Sequence, residues 1–349
     1  MFNLFHKDKF STFIPKRNNV LLVETNGCHG EVIGGYLQYF QNIGINAYIL
    51  VTDTIKKEKP FCRLHTEKIF STKFKNFHKL LKSEYLNRYD HIFIMSSVNY
   101  THGSHAVRDL FPDLQKHKSV YWVHHQIGYI HNYYPDIDKK HNIMLGHIVD
   151  KMGAEQVFMN PHLFGEYTIP SKTDETVFIS VGGINPKRKN HNLLIDAIKT
   201  LHDKNYKFRV LIVGSGSLKH IDKSVRKHIK LLGHLNYDKM YNNVEKSHFF
   251  LPLLDANNPE HDRYIKTQVT GSAQLVYGFR KVPVVHKKFA NFYDFNPKNA
   301  IIYDDLADGM ERAILMNATD YDKHIKQLDK TANSIKQETT DNLKDILNA

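Results

Sequence analysis

Eleven short apolar runs rich in β-branched residues recur along the chain, and a polar, proline-containing stretch divides them into two series. The first series is Val20–Glu24, Ala47–Val51, His91–Met95, Val120–Val123 and Gln156–Met159. The second is Val177–Val181, Phe208–Val213, Ile229–Leu232, His248–Leu251, Val282–Val285 and Ala300–Tyr303. Parallel strands need long crossovers, so strand-length runs alternating with helical patterns indicate βαβ units and parallel sheets. Leu193, Leu194, Ala197, Ile198 and Leu201 recur at helical spacing and read as one such crossover, with an apolar face for the second sheet.

At 349 residues the chain exceeds the roughly 250–300 at which one hydrophobic core stops growing. Residues 160–176, with Pro161, Pro170 and a polar run after them, read as an interdomain linker. The expected organisation is therefore an N-terminal α/β domain over 1–165, a second over 166–325, and a C-terminal helix over 326–349 packing back toward the first.

Apolar residues make up 41% of the chain and charged residues 24%, and no stretch reaches the ~20 apolar residues of a membrane-spanning helix. Residues 1–17 alternate Phe and Lys too evenly for a signal peptide, and Cys28 and Cys62 form neither a disulfide framework nor a zinc pattern. A cytoplasmic location is expected. The net charge of +12 calls for an acidic partner: nucleic acid, an anionic membrane surface, or a phosphorylated small molecule. The cations are dispersed and no RNP-like, KH-like or zinc-finger pattern occurs, so a basic nucleic-acid-binding protein ranks as the non-enzymatic alternative and nucleic acid is not the expected partner.

The most informative segment is Val181-Gly-Gly-Ile-Asn-Pro-Lys-Arg-Lys-Asn190, a strand running into two glycines, a turn and three cations before a helix. Ligands of open parallel sheets bind at strand ends, and helix N-termini favour anions, so Gly183, Lys187, Arg188 and Lys189 are candidate diphosphate-binding residues. Thr270-Gly271-Ser272 is a second anion-receptive helix start, with Thr270 as the cap and the Gly271 and Ser272 amides open to a ligand. Leu211-Ile-Val-Gly-Ser-Gly-Ser217 ends in a Gly-x-Gly turn at Gly214 and Gly216, but Lys219 stands where a dinucleotide fingerprint requires its third glycine. In the N-terminal half, Gly34 and Gly35 close a glycine loop before a helix expected from Tyr36. His124 and His125 end a strand at the edge where sites gather, and His124 is a candidate for proton transfer or sugar binding.

In order and spacing these segments resemble the GT-B glycosyltransferases, particularly the family 4 type, with its paired-glutamate signature replaced by a Thr-Gly-Ser helix start. The resemblance spans most of the chain. It implies two Rossmann-like parallel-sheet domains facing across a cleft, the first on the acceptor side and the second binding a nucleotide sugar. It likens Gly34-Gly35 to the glycine pair of the first loop and Val181–Asn190 to the phosphate-binding turn. Ile229–Leu235 is likened to the strand end touching the nucleotide base, which adds His234 and Leu235 to the donor-binding set. Two departures stand out: Gly183 occupies the place of the phosphate arginine, leaving Lys189 with Lys187 or Arg188 for that role, and Gln274 to Tyr277 supply no second glutamate. Asp255, Glu260 and Asp262 of the preceding loop are the acidic candidates to face the sugar, with Glu260 and Asp262 taken for catalysis.

The implied activity is metal-independent transfer of a sugar from a nucleotide donor to a glycan or lipid-linked acceptor, in bacterial surface polysaccharide synthesis such as capsule or lipopolysaccharide, with no cofactor. The Asp136-Ile-Asp138 pair lies among Pro135, Lys139 and Lys140 rather than after a strand, which argues against a metal role. Peripheral contact with the anionic inner face of the membrane fits the positive charge. Nucleotide-sugar 2-epimerases and polyol-phosphate transferases of the same fold are the competing enzymatic readings.

Overall fold

The computed structural model describes residues 9–27, 29–66, 68–81, 84–95, 101–102, 105–106, 114, 119–126, 138–148, 155–218 and 221–348. The chain divides into two compact units, one made of 1–145, 149–165 and 340–349, the other of 146–148 and 166–339.

Unit 1 is built on strands β1 (Asn19–Glu24), β2 (Asn46–Thr52), β3 (Lys68–Thr72) and β4 (His91–Ile94), a two-stranded hairpin β5–β6 (Thr101–His102, His105–Ala106), and β7 (Val120–His124), β8 (Asn142–Met144) and β9 (Val157–Phe158). Apart from the antiparallel hairpin these strands form one parallel sheet in the order β3-β2-β1-β4-β7-β8-β9. Every residue of β1 is buried, as a strand covered on both faces requires. Leu21, Val23, Tyr48, Leu50, Phe70, Ile92 and Trp122 form the core on one face, with Phe10, Phe77 and Leu86 packed against them.

Helix α1 (Gly30–Asn42) follows β1 and starts six residues before the expected Tyr36, so Gly34 and Gly35 lie inside a buried helix and not in a loop. The reason is steric. A Cβ on Gly35 would stand 2.2 Å from the Pro161 carbonyl oxygen, and Tyr36 donates its hydroxyl to the Met159 carbonyl at 3.0 Å. The glycine thus lets the helix lie against the segment after β9, and that segment, expected as linker, is largely buried from Asn160 to Phe164.

Unit 2 carries β10 (Thr176–Val181), helix α2 (His191–His202), β11 (Phe208–Val213), β12 (Ile229–Gly233), α3 (Tyr237–Glu245), β13 (Phe249–Phe250), α4 (Gly271–Phe279), β14 (Val282–His286), β15 (Ile301–Tyr303), α5 (Leu306–Leu315) and α6 (Ala318–Asn348). All strands pair in parallel in the order β12-β11-β10-β13-β14-β15. Leu194, Ala197, Ile198 and Leu201 of α2 are buried and join Phe178, Val210, Phe249, Val282 and Met310 in one core. His248 shows how scattered imidazoles serve the scaffold: its Nδ1 accepts from the Val177 amide at 3.0 Å and its Nε2 donates to the Ser171 carbonyl at 3.0 Å. The C-terminal helix begins at Ala318 rather than 326, and its last residues belong to unit 1, where Asn342 donates to the Phe158 carbonyl and Ile346 accepts from the Tyr121 hydroxyl.

In both sheets the first three strands run outward to one side and the fourth is laid on the other side of the first. The order therefore reverses between β1 and β4 and again between β10 and β13, and such switch points leave a crevice at the strand C-termini.

Candidate functional site

The switch point of unit 2 is where the expected anion-binding residues meet. β10 runs out at Val181 into the turn 182–190, while β13 runs out through Leu251 to Pro252. The Gly182 amide donates to the Val213 carbonyl at 2.8 Å, and the Gly214 amide to the Gly233 carbonyl at 2.9 Å, so the three strand ends stay in register past their last formal residues. Gly214 has φ 154°, and a Cβ there would lie 2.0 Å from the Gly182 carbonyl oxygen, so only glycine lets these two ends approach. A Cβ on Gly182 would meet the Lys189 Cε at 2.8 Å, which reserves that space for the lysine stem.

Lys189 is buried, unlike Lys187 and Arg188, which are exposed on the same turn. Its Nζ donates to the Pro252 carbonyl at 2.8 Å and to Ser272 Oγ at 3.2 Å. An ammonium has three protons, so one remains for a ligand oxygen. Burial lowers the Lys189 pKa to about 7. Ser272 lies in the first turn of α4, whose N-cap is Thr270 as expected. The Ser272 amide is not open, however: it donates to Thr270 Oγ at 3.3 Å, because the cap uses it. Tyr293 holds the cap from the other side, accepting from the Thr270 amide at 3.2 Å and donating to the Tyr264 carbonyl at 2.6 Å.

Residues that the sequence reading passed over fix the turn in place. Asn190 caps α2 by accepting from the Leu193 amide at 3.1 Å, and its Nδ2 donates to Asp255 at 2.7 Å. The Asn190 amide donates to the carbonyl of Leu253, a residue held at φ 56°. His261 is fully buried; its Nδ1 accepts from the Asp255 amide at 2.8 Å, so Nε2 carries the proton and meets the Pro186 carbonyl at 3.2 Å. Asn258 donates to the same carbonyl at 3.1 Å and Arg263 to that of Lys187 at 2.6 Å. A helix-cap position after three cations was the available signal for Asn190; nothing local marks His261, whose partners lie across two loops.

The remaining candidates are distributed as follows. Gly183 and Gly216 flank the same strand ends, and the Ile184 amide donates to the Ser215 carbonyl at 2.8 Å. His234 is exposed and Leu235 half-buried just beyond β12. Glu260 is exposed in a single 3-10 turn. Asp262 is held by Lys266 at 2.7 Å and Lys288 at 2.6 Å, and these two partners lower its pKa to about 2, so it stays ionised and is no proton donor at neutral pH. His124 belongs to unit 1, buried at the end of β7. Its Nε2 lies 2.5 Å from Asn142 Oδ1, whose amide group is oriented by donation to the Glu155 carbonyl at 3.0 Å. Oδ1 can only accept, so Nε2 carries the proton and Nδ1 is the basic nitrogen. Cys28, Asp136 and Lys219 lie outside the described residues; Asp138 caps the turn at Lys139–His141 through the Lys140 amide at 3.4 Å. Among the described residues no three His, Cys, Asp or Glu side chains group as metal ligands, and no helix is long and apolar enough to cross a membrane.

Comparison with solved structures decides the fold. A glycosyltransferase from Rickettsia africae ESF-5 matches with a TM-score of 0.58 and 14% identity over 95% of this chain and 98% of that one. An alpha-glucosyltransferase in complex with UDP and a 13-mer DNA containing an HMU base matches with a TM-score of 0.63 and 12% identity over 95% and 99%. The alpha,alpha-trehalose 6-phosphate synthase of Burkholderia multivorans matches with a TM-score of 0.53 and 7% identity over 96% and 98%.

The chain has the GT-B glycosyltransferase fold.

Within this GT-B chain, residues 168–255 match the family model described as glycosyl transferases group 1. The matched stretch runs from just before β10 to Asp255, and so takes in the whole turn that carries Lys189. No curated protein sequence matches the chain.

Proposed function

We propose that this protein transfers a glycosyl group from a nucleotide-sugar donor to a glycan or lipid-linked acceptor, without a metal ion, in the assembly of a bacterial surface polysaccharide. The observation that carries this reading is the meeting of Lys189 and Ser272 at the β10/β13 switch point. Rupture of a glycosyl–phosphate bond builds negative charge on the leaving diphosphate. A fixed cation beside a helix start stabilises that charge more in the transition state than in the ground state. Lys187 and Arg188 add positive charge on the same turn, and His234 with Leu235, just beyond β12, is read as the contact to the base. Support comes also from the group 1 match over this turn and from the UDP in the alpha-glucosyltransferase complex. The surplus positive charge suits a peripheral position at the anionic inner face of the cell membrane.

A second reading concerns the acceptor alone. The alpha-glucosyltransferase was solved with DNA, and a chain of net charge +12 would be drawn to a polyanion.

Thermal-shift titration with UDP-, GDP-, ADP-, CMP- and CDP-linked sugars, followed by nucleotide release with glycan, lipid-linked and duplex DNA acceptors, tests both. The expected result is stabilisation by one nucleotide class and release that depends on acceptor. Epimerisation of the donor without acceptor, or salt-sensitive DNA retention with no nucleotide binding, would overturn the transferase reading.

A further inference from the structure

Unit 2 carries a second concave surface, at the other edge of its sheet. Lys172 donates to Thr176 Oγ1 at 2.7 Å, on the first residue of β10, and to the Ile314 carbonyl near the end of α5 at 3.3 Å. Tyr321, in the first turn of α6, donates to the His248 carbonyl just before β13 at 3.4 Å. The junction of α5 and α6 therefore lies at the N-terminal edge of the strands, opposite the end where Lys189 meets Ser272. A cavity of about 620 Å³ opens to solvent there, a volume in the range of small-molecule sites.

Three cations line it, Lys298, Arg312 and Lys323, against the single carboxylate of Asp320. Both oxygens of that carboxylate are engaged, Oδ1 by Lys323 at 2.8 Å and Oδ2 by Asn317 at 2.9 Å, and these partners, Lys323 first, hold it below the ordinary carboxylate range. Arg312 is fixed from one side. Its Nε and one terminal nitrogen each reach Asp308 Oδ2 at 3.0 Å, and the same terminal nitrogen donates to the Ile302 carbonyl at 2.6 Å. The two N–H groups of the other terminal nitrogen remain for a ligand. Lys298 is exposed, and among the described residues no hydrogen bond or ion pair engages its ammonium.

A guanidinium held by its far edge is preorganised for an oxyanion, and a doubly charged phosphate complements this lining better than a single charge does. The rest of the wall narrows the occupant further. Leu315 is 62% exposed and Met316 is half-buried in the same cavity, an apolar area that an inorganic ion would leave wet. A phosphate joined to a carbon skeleton covers both. A lipid headgroup shares that chemistry, but a bilayer against this edge would turn the strand ends around Lys189 away from the membrane surface.

We propose that this cavity binds a soluble organic phosphomonoester, its phosphate held by Arg312 and Lys298 and its carbon skeleton laid over Leu315 and Met316. The site is separate from the donor site and does not depend on the transferase reading.

The test uses the full-length protein with phenyl phosphate, inorganic phosphate, and vesicles of phosphatidylglycerol in phosphatidylcholine, the soluble probes being titrated by calorimetry. Phenyl phosphate is expected to bind saturably, about tenfold more tightly than inorganic phosphate. Lys298→Glu, which breaks no bond of the scaffold, is expected to weaken it by about tenfold or more. Leu315→Ser should bring it to within about threefold of inorganic phosphate. Lys189→Met, at the opposite edge, should leave it within about twofold of wild type. Arg312→Gln is expected to abolish binding; should that variant fail to fold, Lys298→Glu and Leu315→Ser decide. Binding that survives Lys298→Glu, or that Lys189→Met abolishes, overturns the site. Vesicle binding that Lys298→Glu removes, without saturable binding of phenyl phosphate, overturns the soluble ligand in favour of a lipid, and silence with every probe overturns the cavity as a phosphate site.

Discussion

Lys189 Nζ donates to Ser272 Oγ at 3.2 Å, joining two helix starts that lie 83 residues apart in sequence. The bond places a buried cation where the strand order of unit 2 reverses. It also makes the contribution of each partner measurable against nucleotide.

Lys189→Met is expected to weaken nucleoside diphosphate binding about 10- to 100-fold, the range of ~1.5–3 kcal/mol for a charge-assisted hydrogen bond. Ser272→Ala removes only a neutral partner and is expected to cost about fivefold, or ~1 kcal/mol. Calorimetry with the nucleotide that gives the largest thermal shift checks both; equal losses would contradict the ranking.

Since burial lowers the Lys189 pKa to about 7, most of the unliganded protein has a neutral amine there at pH 8. A diphosphate favours the charged form, so binding at pH 8 is expected to take up a proton, read as a binding heat that varies with buffer ionisation enthalpy. The sign for stability is the reverse of a salt-bridged lysine. The folded pKa lies below the unfolded value, so the folded state carries fewer protons between about 7 and 10.5. The penalty is full below pH 7 and fades as pH rises to 10.5. Lys189→Met should therefore stabilise more at pH 6 than at pH 10, by on the order of 3 kcal/mol.

Glu24 titrates with the opposite linkage. Its folded pKa of about 8 exceeds the ordinary 4.5, so the stability it contributes is present below pH 4.5 and lost as pH rises through 8. Urea denaturation followed from pH 5 to 9 is expected to show a decline that Glu24→Gln flattens.

Gly35→Ala is expected to destabilise unit 1 by about 3 kcal/mol, since its Cβ would overlap the Pro161 backbone, which cannot yield as a flexible side chain does. Gly183→Ala, whose Cβ meets nothing nearer than 3.7 Å, is the control expected to change stability little. Denaturant midpoints compare the two.

Asn190→Ala removes a helix cap and the bond to Asp255 together, so a loss of about 1–2 kcal/mol is expected. Nucleotide affinity should fall with it, because the same residue fixes the end of the turn that carries Lys189. Asn190→Asp, which keeps the cap but sets two carboxylates against each other at Asp255, should recover less than half of the loss.

The fold was legible because parallel strands advertise themselves locally: each of the eleven apolar runs became a strand in one of the two sheets. Two more, Lys68–Thr72 and Asn142–Met144, escaped notice, the first with only Ile69 and Phe70 apolar between polar residues at a sheet edge and the second only three residues long. Thr270 was legible as a cap from its hydroxyl and the apolar run after it. Gly34 and Gly35 were misread because a glycine pair after a strand suggests a loop, while the cause of Gly35 is the distant Pro161. Glu24 and His261 drew no notice for a related reason. Glu24 matters through its burial and His261 through partners across two loops, neither of which a local pattern encodes.

The turn between β10 and α2 is stitched down through its main chain, Pro186 by His261 and Asn258, Lys187 by Arg263 and Asn190 by Leu253, and through the Asn190 side chain by Asp255. None of those stitches uses the outward side chains of Lys187 or Arg188. The scaffold is consequently indifferent to what those two positions carry, so charge can be added or removed there by substitution while the cradle around Lys189 keeps its shape.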